Sequence, residues 1–451
     1  MTRDHLGILI LALGCLFAVL AVWADFFIVA AIVGVLALAA AVLWKLEIGI
    51  GLFAFAVILD SFLRKAGSIG GLWDEGLFIL IIAALVWRLV KEKRNTFNPT
   101  GLWWAVAGFA VVAVVSGLLS GLPYGHIITA IRSVLQAVIL FVVIVNAGFD
   151  RKTILHITSL LIICAAVVAG YALLQRASGV FTPQGWLDVH EATLVTRATS
   201  FLGSPNATAG FLALIIPISI GMTMKVKRFW SKAFWLVITV VIILGLYATL
   251  NRAAWIGLTG GLVVFAIASG KRWWIGALLA AVVAAILFLP DLRMRFAGIF
   301  TEDFAWRDLQ YGRSFRWATA IDIFGQHPIL GIGPGGFGGA VAYGIQAFGG
   351  LYVDNYYLLI LSNYGLVGFG FFTFILISNI REAFKGLKKA LIDDRLLVAG
   401  FIGGMVAFMI HLLAENLWQI TPLIVSFWLV AGLAASFAYR PGEGIKCKSE
   451  N

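Results

Sequence analysis

The arginines of this chain are the residues whose type and placement point to chemistry. Arginine keeps its charge and offers a planar fork of donors that fits the oxygens of a phosphate or diphosphate. Arg252 falls in a gap of a few residues between two long apolar segments, and Arg132 falls inside one, where an unpaired charge is costly. The basic residues on this predicted side are Arg64, Lys65, Arg132, Arg176, Arg197, Arg252, Arg293, Arg295, Arg307, Arg313 and Arg316. They predict a site for a phosphate-bearing ligand; the alternatives are lipid headgroups, loop carboxylates and, for Arg132, a structural ion pair.

Acidic and histidine residues on the same side do not form a metal-binding pattern. No Asp-x-Asp pair is present, and the histidines show no ligand spacing. We therefore expect no metal and no cofactor. Asp354 can accept a proton from a hydroxyl if burial raises its pKa, and its alternative role is a helix N-cap. Asn355 either orients a substrate or caps the same helix.

Long apolar segments must position these residues. The chain has 451 residues, of which 61% are hydrophobic and 12% charged, whereas roughly a quarter of an ordinary soluble sequence is charged. We predict an all-α polytopic integral membrane protein of about 12–14 transmembrane helices, forming one domain over residues 1–451. The predicted spans are 6–22, 26–44, 48–63, 75–90, 101–121, 126–146, 153–174, 201–224, 233–250, 253–269, 274–290, 353–379, 396–413 and 421–439.

The net charge of +11 indicates topology rather than a nucleic-acid partner. Lys-rich clusters alternate with the predicted spans so that both chain ends lie in the cytoplasm, as the positive-inside rule requires. Arg64 and Lys65 are the one clear violation. The three cysteines, Cys15, Cys164 and Cys447, suggest neither a disulfide framework nor a metal site.

A long external loop is predicted over residues 291–352. Within it, the spacing of Trp317, Ala320, Ile321 and Phe324 predicts an amphipathic helix over 313–326 that lies at the membrane surface. His327-Pro328 ends this helix, and the glycine-rich stretch 331–339 predicts a tight, irregular turn. No strand precedes that stretch, so it is not a nucleotide-binding loop.

Four segments between residues 170 and 380 resemble the O-antigen ligase and O-antigen polymerase superfamily, bacterial GT-C-like transferases of lipid-linked glycans. The segments are NRAAWIG at 251–257, RSFRWATA at 313–320 with HPILGIGPGGF at 327–337, DN at 354–355 followed after nine residues by GLVG at 365–368, and RATSFLGSPN at 197–206. The ligases of the family carry His where Asp354 stands. That departure weakens the resemblance to a ligase, and the Asp-Asn pair looks more like the chain polymerases of the superfamily.

The resemblance implies an inverting, metal-independent transfer of a glycan from undecaprenyl pyrophosphate to an acceptor hydroxyl. The reaction would occur on the external face of the bacterial cytoplasmic membrane. A glycan or lipid-linked acceptor and membrane lipids would be the other partners. By the matching positions, Asp354 and Asn355 would be catalytic, and the donor pyrophosphate would be bound by Arg197, Arg252, Arg313, Arg316 and Arg132.

Three other functions stay open at the level of the sequence. The chain is more similar to a polymerase, and a ligase that moves the glycan to a lipid A-core or other acceptor is the nearest alternative. A solute transporter would need a site near the bilayer midplane and repeat symmetry, whereas the polar residues here fall at the ends of the predicted spans. A glycan-binding scaffold without turnover does not explain arginines embedded at membrane depth.

Overall fold

Helices make up nearly all of the structure. The structure is a computed structural model that describes residues 26–67, 70–93, 97–98, 100–180, 196–297, 306, 308–310, 312–344 and 350–439. Among these residues, the extended pairing consists of an isolated bridge between Gly338 and Tyr352. The predicted span 6–22, as well as Cys15, His190, Arg307 and Cys447, lies outside the described residues.

We number the α-helices of the described residues in chain order. They are α1 Phe26–Trp44, α2 Leu46–Phe53, α3 Ala56–Leu63, α4 Trp73–Lys91, α5 Leu102–Leu119, α6 Tyr124–Leu135, α7 Val138–Ala147, α8 Arg151–Ala177, α9 Pro205–Lys225, α10 Phe229–Thr249, α11 Arg252–Ala268, α12 Trp274–Phe288, α13 Pro290–Ala297, α14 Arg313–Gln326, α15 Ala340–Gly344, α16 Tyr356–Lys389, α17 Arg395–His411 and α18 Thr421–Ser436.

Many of these helices are apolar enough to span a membrane. By length and composition, six described helices qualify, and up to eight if each of two bent pairs counts as one span. Three shorter apolar helices, α11, α12 and α18, accompany them. The prediction of an all-α polytopic membrane protein is confirmed.

Besides the span 353–379, whose helix is broken at Gly365, two predicted spans are not single helices. The segment predicted as 48–63 forms α2 and α3, and the segment predicted as 126–146 forms α6 and α7 with a bend of 41°. Each of these predicted spans is therefore interrupted by a break between two helices. Neither break contains Pro or Gly, the residues that usually mark a kink in a sequence. The hydropathy pattern therefore predicts one span where the structure has two helices.

Helices α9, α11 and α17 pack closely in the centre of the protein. A Cβ atom on Gly257 would lie 2.6 Å from the Ala407 carbonyl oxygen, and one on Gly261 would lie 2.4 Å from the Gly403 carbonyl oxygen. On the other face of α17, a Cβ atom on Gly404 would lie 2.1 Å from the backbone of α9. Such small-residue contacts let membrane helices approach closely. They fix the ends of three helices on which the candidate site is built.

Helix α16 is broken at Gly365, which has φ of 63°. A preceding loop segment fills the break: the amide nitrogen of Leu366 donates to the Pro328 carbonyl oxygen at 2.8 Å, and that of Gly333 donates to the Asn363 carbonyl oxygen at 3.0 Å. The break therefore leaves these backbone groups paired, as the membrane interior requires. It also holds the glycine-rich turn against α16.

The amphipathic helix in the long loop has the predicted bounds, Arg313–Gln326. Its buried residues are Ala320 and Ile323, and Ile321 is exposed. The apolar face of Trp317, Ala320, Ile321 and Phe324 is thus only partly turned towards the rest of the protein. Because α14 packs against α16, the face turned towards the protein is rotated from the one that apolar spacing indicates.

Candidate active site

Four side chains with amide or carboxyl groups lie at the ends of helices that meet at one end of the bundle. Asn206 lies in the first turn of α9, and Asn251 caps α11 by accepting from the Ala254 amide at 2.8 Å. Glu415 follows the end of α17, and Asp354 precedes α16. Because these helix ends are brought together by packing, their polar residues form one cluster.

Glu415 is the centre of this cluster. Its side chain is buried, and its Oε1 atom accepts hydrogen bonds from Asn206 Nδ2 at 2.6 Å and from Arg313 Nη2. Burial raises the pKa of the Glu415 carboxyl to about 7, although the Arg313 guanidinium opposes that shift. The carboxyl therefore changes its charge near neutral pH while it connects α9 to α14.

Arg197 joins the cluster through Asn206. Its Nη2 atom donates to Asn206 Oδ1 at 2.9 Å, and its Nε atom donates to the Thr249 carbonyl oxygen at 3.2 Å. Asn251 Nδ2 donates to the same Asn206 oxygen at 2.6 Å. Arg197 is thus held between the start of α9 and the end of α10.

Arg252 lies directly beside this network. It is the first residue of α11 and is half-buried. Its neighbour Asn251 is the residue that binds Asn206. The close contacts of α11 with α17 therefore place Arg252 at the same end of the bundle as Glu415 and Arg197.

Arg313 and Arg316 both face Asp354 from the first turn of α14. Arg316 Nη1 lies 2.7 Å from Asp354 Oδ2, and Arg313 Nε lies 3.7 Å from the same oxygen. Arg316 Nη1 also donates to the Tyr352 carbonyl oxygen at 3.2 Å. Burial raises the pKa of the Asp354 carboxyl, and the two arginines act against that shift.

Asn355, rather than Asp354, caps α16. Asn355 Oδ1 accepts from the backbone amides of Tyr357 at 3.0 Å and Leu358 at 3.1 Å. Its amide group therefore satisfies helix donors that would otherwise be unpaired. The Asp354 carboxylate is left to pair with arginine, so the two neighbours have separate roles.

Among the described residues, basic side chains outnumber acidic ones in this cluster. Its cations are Arg197, Arg252, Arg313 and Arg316, and its acids are Asp354 and Glu415. Burial also raises the pKa of the Glu415 carboxyl, which favours its neutral form. A group of guanidinium forks is suited to bind phosphate oxygens.

Arg132 is not joined to this cluster. Its Nη1 atom lies 2.7 Å from Glu75 Oε1, and about half of its side chain is exposed. The partner is a carboxylate at the start of α4, so the geometry is that of an ion pair between α4 and α6. Within the described part of the chain, no group of three His, Cys, Asp or Glu side chains is arranged to hold a metal ion.

An apolar cleft begins one helical turn beyond Arg252. It has a volume of about 210 Å³ and lies between α11, α12 and α13. The residues that line it are Trp255, Ile256, Thr259, Val282, Ala285, Ile286, Leu292 and Phe296. A cleft with this lining suits a hydrocarbon chain whose polar head lies at the arginine cluster.

Sequence reasoning missed the two residues that connect the site. Asn206 is the last residue of the segment RATSFLGSPN, in which the resemblance predicts a role only for Arg197. Glu415 belongs to no motif, and it is one of many acids on its predicted side. A signal was nevertheless present, because an acidic residue that follows an apolar helix at membrane depth needs a basic partner.

Residues 237–373 match the protein family described as O-antigen ligase. The match includes Arg252, Arg313, Arg316, Asp354 and Asn355. Among curated protein sequences, none matches the chain. The resemblance to the O-antigen ligase and polymerase superfamily is thereby confirmed.

Proposed function

Because residues 237–373 carry the O-antigen ligase domain, we propose that this membrane protein is an inverting, metal-independent glycosyltransferase. Its donor is a glycan linked to undecaprenyl pyrophosphate, and its acceptor is a hydroxyl group on the external face of the bacterial cytoplasmic membrane. The observation that carries this proposal is a connected polar cluster in which Arg313 and Arg316 contact Asp354, and Arg313 also contacts Glu415. Glu415 is joined through Asn206 to Arg197 and to Asn251, the residue before Arg252. The cluster binds the diphosphate, and the nearby apolar cleft receives part of the polyprenyl chain.

The reaction is a displacement at the anomeric carbon of the donor sugar. The acceptor oxygen attacks that carbon from the face opposite the diphosphate, which inverts its configuration. The bond between the anomeric carbon and the diphosphate oxygen breaks, and its electron pair stays on the diphosphate. Arg197, Arg252, Arg313 and Arg316 stabilise the charge that develops there.

Asp354 is the proton acceptor in this proposal. Its carboxylate takes the proton of the attacking hydroxyl, for which a raised pKa brings it closer to the working pH. Arg316 holds the carboxylate in place at 2.7 Å. Asn355 acts on the reaction only by fixing the start of α16, and hence the position of Asp354.

A polymerase and a ligase differ in the acceptor. Asp354 stands where the ligases of the family carry His, which favours a polymerase, whereas the matched family is described as O-antigen ligase. Purified protein given lipid-linked repeat units alone separates the two. Growing chains identify a polymerase, and product that forms only after a second acceptor is added identifies a ligase.

Arg252→Ala tests the transferase proposal itself. We expect transfer to fall by roughly 100-fold or more, because the variant loses a donor to the leaving group. Arg88→Ala is the matched control. Arg88 is an ion-paired arginine in the last turn of α4, 3.0 Å from both Glu47 and Glu92, and it is not part of the cluster. Transfer by Arg252→Ala at the rate of the control would overturn the proposal.

A further inference from the structure

A second polar cluster lies at the start of α4, outside the candidate active site. Arg64 Nε lies 2.7 Å from Asp60 Oδ1, and the same oxygen accepts from Trp73 Nε1 at 3.0 Å. Asp74 and Glu75 follow Trp73 directly, and Glu75 pairs with Arg132. Residues of α3, α4 and α6 therefore meet in one group of alternating basic and acidic side chains.

The two arginines of this group present donors to the surface. The Arg64 and Arg132 side chains are 48% and 51% exposed. Beneath them, Asp74 is only 3% exposed and shares a side-chain hydrogen bond with Glu75. The Asp60 and Glu75 side chains are 13% and 23% exposed. This cluster therefore presents carboxyl acceptors as well as exposed arginine donors.

The balance of charge separates this group from the active site. With the neighbouring Lys65, three basic residues face three acids, namely Asp60, Asp74 and Glu75. No excess positive charge is left for a phosphate. Arginines that are already neutralised, set beside carboxyl oxygens and an indole ring, instead match a neutral ligand rich in hydroxyl groups.

The segment 415–421, in which polar residues alternate with Leu417, Trp418 and Ile420, connects this group to the active site. Glu415 belongs to the active site, and Thr421 Oγ1 lies 3.5 Å from Arg64 Nη2. Between them, Asn416 Nδ2 donates to Gln419 Oε1 at 3.0 Å. The six residue steps from 415 to 421 span at most about 21 Å, so one glycan of several sugars can reach both places.

We propose that the cluster of Asp60, Arg64, Trp73, Asp74, Glu75 and Arg132 is a subsite for sugar residues of the acceptor glycan. This inference rests on the proposed function, since it assigns a place to the second substrate of that reaction. Hydroxyl groups of the glycan accept from Arg64 and Arg132 and donate to the carboxyl oxygens. The positively charged residues Arg64 and Lys65, which break the positive-inside pattern, then have a function on the external side.

Steady-state kinetics test the subsite in the full-length protein. In Arg64→Ala/Arg132→Ala, we expect the acceptor KM to rise about tenfold, because hydrogen bonds from charged donors are lost, with donor KM and kcat within about twofold of the wild type. Arg88→Ala is the control, because Arg88 is an ion-paired arginine in the last turn of α4, the helix that carries Glu75 in its first turn. An unchanged acceptor KM overturns the proposal. The charge-preserving protein Arg64→Lys/Arg132→Lys gives a second criterion. If its donor KM rises as much as its acceptor KM, the proposal is also overturned, because the cluster then supports the fold and does not bind the acceptor.

Chemical protection gives a second measurement that does not depend on turnover. Phenylglyoxal modification of each arginine is followed by mass spectrometry with two probes. One is inorganic pyrophosphate, and the other is the lipid-free glycan released by mild acid from the lipid-linked glycans of the cells that make the protein. We expect the glycan to protect Arg64 and Arg132, and pyrophosphate to protect Arg252 and Arg313.

The two probes distinguish failure of the subsite from failure of the proposed function. Protection of Arg64 and Arg132 by pyrophosphate would identify a second anion site and overturn the subsite. If the glycan does not protect Arg64 and Arg132, these residues form only structural ion pairs, and the subsite is likewise overturned. A wild-type protein that binds the glycan at Arg64 and Arg132 but transfers nothing would instead reject the transferase and keep the glycan subsite.

Discussion

Arg313 and Glu415 form an ion pair although 102 positions separate them in the sequence. Arg313 begins α14, in the long loop, whereas Glu415 follows α17 in the packed centre of the protein. Their contact ties the loop to the helices that carry Arg197 and Arg252. Because Glu415 also accepts from Asn206, one carboxylate sets the positions of two arginines.

Replacement of Glu415 by alanine should therefore disable the site as a whole. Arg313 and Asn206 lose their shared acceptor, and a displacement of about 1 Å in a positioned group can cost 10²-fold in rate. We expect kcat for glycan transfer to fall by that order. Glu415→Gln keeps the acceptor for Asn206 and should lose less. Equal activity of the alanine variant and the wild type would show that Glu415 does not position the arginines.

The raised pKa of Glu415 predicts how stability depends on pH. The carboxyl has a pKa of about 7 in the folded protein and 4.5 as its ordinary value, so the folded state holds the proton more tightly. The stability that this proton contributes is present below pH 4.5 and is lost as pH rises to 7. Relative to Glu415→Gln, the wild type should therefore lose stability as the pH rises over that range.

Thermal unfolding of both proteins in detergent at several pH values measures this difference. The melting temperature of the wild type should fall relative to that of Glu415→Gln as the pH rises from 4.5 to 7. A constant difference between the two melting curves would mean that Glu415 keeps one charge state across this range.

Asp354 should affect the chemical step more than donor binding. Asp354→Asn removes the proton acceptor at nearly constant size, and general bases contribute about 10²–10⁴-fold to rate. We expect kcat to fall within that range while the donor KM changes by less than threefold. Asp354→His, which restores the residue of the related ligases, should recover part of the rate. Full activity of Asp354→Asn would remove Asp354 from the mechanism.

Asn355 can be separated from its neighbour by comparing two substitutions. Asn355→Ala loses the cap of α16 and should cost about 1 kcal/mol of stability, seen as a lower melting temperature. Asn355→Asp caps a helix equally well, so it should keep both stability and transfer. If Asn355→Asp melts like the wild type but does not transfer glycan, then the amide contacts the substrate.

The contact between α11 and α17 should tolerate no added side chain. In Gly261→Ala, the new Cβ atom would lie 2.4 Å from the Gly403 carbonyl oxygen, so the helices must separate and Arg252 must shift. We expect a lower melting temperature and a loss of transfer. Gly276→Ala on α12 is the matched control, because nothing lies within 4 Å of its Cβ position. Identical behaviour of the two variants would show that the contact does not fix the site.

Hydropathy and local spacing predicted the fold class and the bounds of α14, because both depend on residues close together in the chain. The same information did not show the break between α6 and α7, where no Pro or Gly marks the change of direction. It also did not show which face of α14 packs against the protein, since that face is set by α16, which lies later in the chain.

The sequence predicted those residues of the site that belong to motifs, and it did not predict how they are connected. The resemblance selected Arg197, Arg252, Arg313, Arg316 and Asp354. The structure connects four of them and places Arg252 next to Asn251, which bonds Asn206. Their connection through Glu415 depends on tertiary packing, which no local pattern encodes. The separation of Arg132 from the cluster could not be predicted either, because its ion pair with Glu75 forms only when α4 and α6 pack together.

The break at Gly365 has a consequence for the biogenesis of the protein. The two halves of α16 exchange backbone hydrogen bonds with residues 328–333, which are synthesised before the helix. In lipid alone, those amide and carbonyl groups would be unpaired at a cost of several kcal/mol each. We therefore expect α16 to enter the membrane as a continuous helix and to break only when the translocated loop docks. In the orientation proposed above, assembly of the candidate site would then wait for export of the loop, so no competent site would form on the side where the chain is made.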